Sequence, residues 1–197
     1  KMADTIASCG MVPGIWFMPF AGNKDNPYFD RDMFARSPDG APFHENGFFG
    51  TALDLTRDKT REFVRQRTKR LYDRGYRYMK MDGLGTGMAV HLNQRKSYHD
   101  RGFGEAQLHD KGTTHVQAFR QGLKIVRDAA PNAFLLGCNA DQNTRVLGPS
   151  FGLVDAMRVG PDNGRAKNKR WMYVIRGARH AGSLYFLNGR VWHNDPD

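Results

Sequence analysis

Apolar positions along the chain gather in short runs, set between helical patterns and long polar loops. "MVPGIWFMPF" (11–20), "YRYMKMD" (76–82), "NAFLLGCN" (132–139), "LVDAMRVG" (153–160) and "SLYFLNGRVWHND" (183–195) read as strands. Between them lie helical spacings. A helix end over residues 1–9 stops at Gly10. Residues 56–75 place Phe63, Val64, Leu71 and Tyr72 on one face, with Thr56 as N-cap and Gly75 as the stop. Val116, Phe119, Leu123 and Val126 recur at helical intervals before Pro131, and "KNKRWMYVIRGARHAG" predicts one more helix. Strands alternating with helices predict a parallel α/β architecture. Two long polar loops, 21–54 and 83–112, follow strands, and the first carries Phe29, Phe34, Phe43, Phe48 and Phe49. Ordered loops of that length after strands are what an active site at the C-terminal face of a (β/α)8 barrel is built from. A doubly wound sheet is the competing fold, but no GxGxxG follows the first strand.

One strand carries charge. Successive side chains of a strand face opposite ways, so Tyr78, Lys80 and Asp82 point to one side while Met79 and Met81 point to the other. In a barrel the methionines would pack on helices and the Lys80–Asp82 pair would face the lumen. Buried charges are paired or used, so the pair reads as either a structural ion pair or a catalytic one. Asp162, in "MRVGPDNG", and Asp195 and Asp197, in "WHNDPD", follow later strands. Each alone reads as a turn former. Together with Asp82 they put an acid at the end of three of the five strands, with Trp16 and Trp192 at strand ends. Carboxylates to fork hydroxyls and aromatic faces to cover C–H patches suit a sugar, and a carboxylate pair is the minimal equipment for glycoside hydrolysis.

Length and composition narrow the classes. A 197-residue chain with 40% hydrophobic and 12% aromatic residues can bury one core, and one domain is the default. No apolar run reaches the roughly 18 residues of a membrane span. The formal net charge of +10 would suit an acidic partner. The basic residues are interleaved with acids on helical patterns, however, so solvated helix faces are favoured over nucleic-acid binding. Two cysteines are too few for a disulfide framework or a zinc site, and the histidines match no ligand spacing.

Six segments, "GMVPGIWFMPF", "LDLTRDKTREFV", "GYRYMKMDGL", "LLGCNADQ", "VDAMRVGPD" and "WHNDPD", resemble in order the barrel motifs of α-galactosidases of glycoside hydrolase families 36 and 27, most closely family 36. The resemblance covers nearly the whole chain. It implies an incomplete (β/α)8 TIM barrel over residues 1–197, with the first strands and the last strand lying outside the sequence. It implies Asp82 as nucleophile and Asp162 as general acid/base of a retaining α-galactosidase. Lys80, Arg158, Trp16, Cys138, Asn139, Trp192 and Asp195 are implied as substrate ligands. The expected partner is a carbohydrate, with no metal, cofactor, nucleic acid or membrane. An α-N-acetylgalactosaminidase or another α-glycosidase of the clan, and a non-catalytic sugar-binding barrel fragment, are the alternatives. Oligomeric state, including a homo-oligomer, and cytoplasmic or exported location stay open. The isolated 197 residues are expected to be unstable or poorly active, because an open barrel exposes strand edges.

Overall fold

Five of the strands align side by side in chain order, and every adjacent pair is parallel. The computed structural model describes residues 1–46, 50–89, 106–138, 146–160 and 170–196. The strands are β1 (Gly14–Phe17), β2 (Ala21–Gly22), β3 (His44–Asn46), β4 (Gly50–Ala52), β5 (Tyr78–Met81), β6 (Phe134–Gly137), β7 (Ala156–Arg158) and β8 (His193–Asp195). The helices are α1 (Met2–Ser8), α2 (Asp58–Asp73), α3 (Leu84–Gly87), α4 (His115–Ala129), α5 (Leu147–Ser150) and α6 (Arg170–Ser183). The main sheet runs β1-β5-β6-β7-β8. It does not close on itself among the described residues, so β1 and β8 are its edges.

The alternation read along residues 78–82 is present. Met79 and Met81 are fully buried while Tyr78 is exposed and Lys80 and Asp82 are half-buried. On the buried side, Leu135 of β6 and Met157 of β7 join Val64 of α2 and Phe119, Leu123 and Val126 of α4 in one core. Phe20 meets Phe119 edge-on at 5.7 Å. Burying a side chain of this size contributes roughly 1.5–3 kcal/mol, so this face holds the sheet to its helices.

Local chemistry decides the helix boundaries. Thr114 caps α4 by accepting the Gln117 N–H at 3.2 Å, and the Gln117 side chain accepts the Thr114 N–H at 2.9 Å. The expected cap of α2 is a correction. Arg57 is its N-cap residue, without a side-chain cap bond, and the Thr56 hydroxyl donates to Asp54 at 2.6 Å instead. Asp54 is buried and also accepts the His109 N–H at 2.7 Å. Asp54 thereby ties the segment before α2 to the loop at His109.

The loop 21–54 contains a second, antiparallel sheet of order β2-β4-β3, which the sequence pattern did not predict. Of its aromatics, Phe29 packs on Phe34 at 5.9 Å and on Phe63 of α2 at 5.4 Å, Phe43 is buried, and Phe48 and Phe49 lie outside the described residues. The last strand is shorter than its apolar run, because Tyr185–Leu187 turns as a 3-10 helix. On the basic helices, Arg61–Asp58, Arg65–Glu62, Lys69–Asp73 and Lys124–Asp128 pair at one-turn spacing and reach solvent. Such pairs each contribute at most about 1 kcal/mol, and they make these faces solvated surfaces. Among the described residues no helix is long and apolar enough to cross a membrane.

Candidate active site

Register brings one row of side chains together. Lys80 is opposite Trp16 on one side and Leu136 on the other, Leu136 is opposite Ala156, and Arg158 is opposite Asp195. Two residues further along each strand, Asp82 and Cys138 stand at the same level as Arg158 and Asp195. Parity puts all of these on the sheet face away from Met79 and Met81, at the C-terminal ends of the strands. Below Lys80 on the same face, Tyr78 and Phe134 stack at 5.3 Å, and His193, level with Ala156 in register, faces Phe134 at 6.4 Å.

Asp82 is held at both oxygens. The Gly83 N–H donates to Oδ1 at 2.7 Å, and the Trp16 indole Nε1–H donates to Oδ2 at 3.0 Å. The first bond depends on backbone shape. Gly83 has φ 61° and ψ 29°, left-handed, which lets the chain turn out of β5 and into α3 directly after the carboxylate. An L-residue there costs roughly 1–2 kcal/mol. We expect Gly83→Ala to lower unfolding free energy by about that amount, read by urea denaturation. Unchanged stability would show that the turn tolerates a Cβ.

Arg158 and Cys138 form the other half of the row. Both are buried, and Arg158 Nη1 approaches Cys138 Sγ at 3.6 Å while its Nε donates to the Gly160 carbonyl at 3.2 Å. The Cys138 thiol is pushed up to about 11, chiefly by burial and then by the Asp82 carboxylate, with Arg158 and Lys80 pulling the other way. It is therefore a neutral S–H at physiological pH, a weak hydrogen-bonding group and not a thiolate nucleophile. Gly160 is pressed against β8: a Cβ there would collide with the Pro196 carbonyl oxygen. The chain thus leaves β7 and the end of β8 in contact, close to Asp195.

Trp16, Lys80, Asp82, Cys138, Arg158 and Asp195 therefore share one face and one end of the sheet. Trp192 does not join them. It is 3% exposed, donates its indole N–H to Asn194 at 2.9 Å and packs edge-on against Phe151 at 5.0 Å. It is expected as a substrate ligand, but it has the opposite parity to Asp195 and packs into the hydrophobic core away from that row. Asn139 and Asp162 lie outside the described residues. The reading of single residues missed Gly83 as a donor and the bond between Trp16 and Asp82. A glycine directly after a strand-end aspartate was the available signal for the first. The second spans 66 positions and had none.

No protein-family model matches the chain. Among solved structures, the α-galactosidase from Thermus thermophilus in complex with p-nitrophenyl α-D-galactopyranoside superposes with a TM-score of 0.74 at 26% identity, over 100% of this chain and 38% of that one. The same enzyme in complex with stachyose gives 0.73 at 26% identity, over 100% and 40%. The galactosidase domain of the α-galactosidase–sucrose kinase AgaSK matches in fold, with a TM-score of 0.57 at 16% identity over 94% of this chain and 22% of that one. The chain spans about 40% of the Thermus enzyme's length. These neighbours agree with the resemblance read from the motifs: the chain is glycosidase-like, with an α-galactosidase-type α/β architecture.

Proposed function

We propose that this chain is the larger part of the catalytic barrel of a retaining glycoside hydrolase that removes terminal α-galactosyl units. The observation that carries the reading is the double anchoring of Asp82 by Gly83 and Trp16, at the strand end, on the face it shares with Lys80 and Arg158. Supporting the substrate class are the Thermus enzyme's complexes with an aryl α-galactoside and with stachyose. Supporting an eight-stranded barrel is the exposed aromatic layer of Tyr78 and Phe134 beneath the charged row. In a closed barrel that face is interior and filled by such layers. Residues 1–197 are then one domain, a piece of that barrel.

In this mechanism an Asp82 oxygen bonds to the anomeric carbon as the glycosidic C–O bond breaks, and Asp162 gives its proton to the departing oxygen. Asp162, now a base, takes a proton from water. The water oxygen attacks the same carbon and releases Asp82 as a carboxylate. Lys80, Arg158 and Asp195 bind hydroxyl groups of the sugar. Cys138, as a neutral thiol, and Asn139 border the sugar's substituents. The test is to incubate the intact protein with an aryl α-galactoside and follow the first-formed sugar by NMR. Appearance of α-galactose before mutarotation is the expected result. Release of the β anomer first, or no turnover of any aryl α-glycoside, would overturn the reading.

A further inference from the structure

The Trp16–Asp82 bond asks for more than a sugar-facing ring. A carboxylate rotates about a broad, two-fold torsion, and attack on a single carbon needs one oxygen lone pair held on line. Gly83 alone fixes one oxygen from within the same turn. The second point of a plane has to come from elsewhere, and the donor that supplies it here belongs to the neighbouring strand, 66 residues away. Trp16 sits opposite Lys80 in register, one pair short of the level of Asp82. Strand side chains lean along the strand, and the length of an indole spans that step. The ring stays 50% exposed, so bonding to Asp82 leaves much of it open.

Resting on the reading of Asp82 as nucleophile, we infer that Trp16 is a positioning residue, whose indole N–H locks the plane of the Asp82 carboxylate for attack. Each oxygen then carries one donor and keeps a second lone-pair site free. The unused site on one of them faces the anomeric carbon. β1 is an edge of the described sheet, so the nucleophile's aim is set by how β1 docks on β5. Misplacement of a reacting atom by about 1 Å can lose about 100-fold in rate, and this is the order of effect at stake.

The test separates the N–H from the ring. In the intact protein, Trp16 is replaced by 3-benzothienylalanine, an isostere with sulfur in place of N–H, and separately by Phe. Each variant is treated with 5-fluoro-α-D-galactosyl fluoride, which transfers its sugar to the nucleophile with loss of fluoride. Mass spectrometry of the peptide bearing Asp82 gives the labelling rate. We expect the maximal labelling rate of the isostere to fall about 10- to 100-fold with half-saturating concentration unchanged, and Trp16→Phe to behave alike. Equal rates for isostere and wild type overturn the inference. A raised half-saturating concentration at unchanged maximal rate also overturns it, leaving Trp16 a sugar contact alone. Wild-type protein that takes no label on Asp82 overturns the nucleophile reading itself, a result distinct from either of these.

Discussion

Asp82→Asn is expected to abolish turnover of p-nitrophenyl α-galactoside while leaving the protein folded. Asparagine has the shape of aspartate but no anionic oxygen to bond to the anomeric carbon, and loss of a covalent nucleophile lowers kcat on the order of 10^4- to 10^6-fold. The fold should register the change only slightly. The aspartate accepts one N–H on each oxygen, from Gly83 and from Trp16. An amide has one oxygen, so one of those donors loses its acceptor. In a buried site that would cost about 1–3 kcal/mol. Asp82 is half-buried and Trp16 half-exposed, so water can take the orphaned N–H, and the loss should lie at the low end. The measurements are steady-state kinetics and thermal melting on the same preparation. Turnover within about tenfold of wild type would remove Asp82 from the chemistry.

Asp162→Ala has a different signature, because a general acid matters most where the departing group is poor. Proton transfer by a placed side chain is worth about 10²- to 10⁴-fold. We expect hydrolysis of stachyose to fall by that range, while an aryl galactoside with an acidic phenol retains a fast first step and a slowed second one. Azide, which needs no base, should then speed the second step and yield α-galactosyl azide. An equal loss on stachyose and on the aryl galactoside, with no azide effect, would show that Asp162 is not the acid/base. The two variants are complementary: Asp82→Asn should respond to no leaving group.

Much of the architecture is legible along the chain, and for a local reason. Alternation at Tyr78–Met79–Lys80–Met81–Asp82 sets which side chains share a face, since a strand repeats every two residues regardless of its neighbours. The spacing of Val116, Phe119, Leu123 and Val126 and the stop before Pro131 mark α4 for the same reason, while its Thr114–Gln117 capping box came from the structure. Motif order carried the likeness to α-galactosidases, which the Thermus structure then matched over the whole chain.

What escaped the sequence pattern depended on partners distant along the chain. Strands β2, β3 and β4 are two or three residues long, too short to show any period. Thr56 reads as a helix cap until Asp54, buried beside it, takes its hydroxyl. Trp192 reads as a sugar platform until Phe151 and Asn194 cover it. Trp16 reads as the same platform, and it ends bonded to Asp82 because β1 docks parallel to β5 in one register.

The chain alone therefore determined its periodicities and its charged strand end, which depend on neighbours a few residues away, and its family resemblance, which depends on the order of short motifs along it. Only the tertiary structure decided which strand-end residues meet. A hydrogen bond requires atoms about 3 Å apart, and that separation is set by sheet register and packing between segments many tens of residues distant.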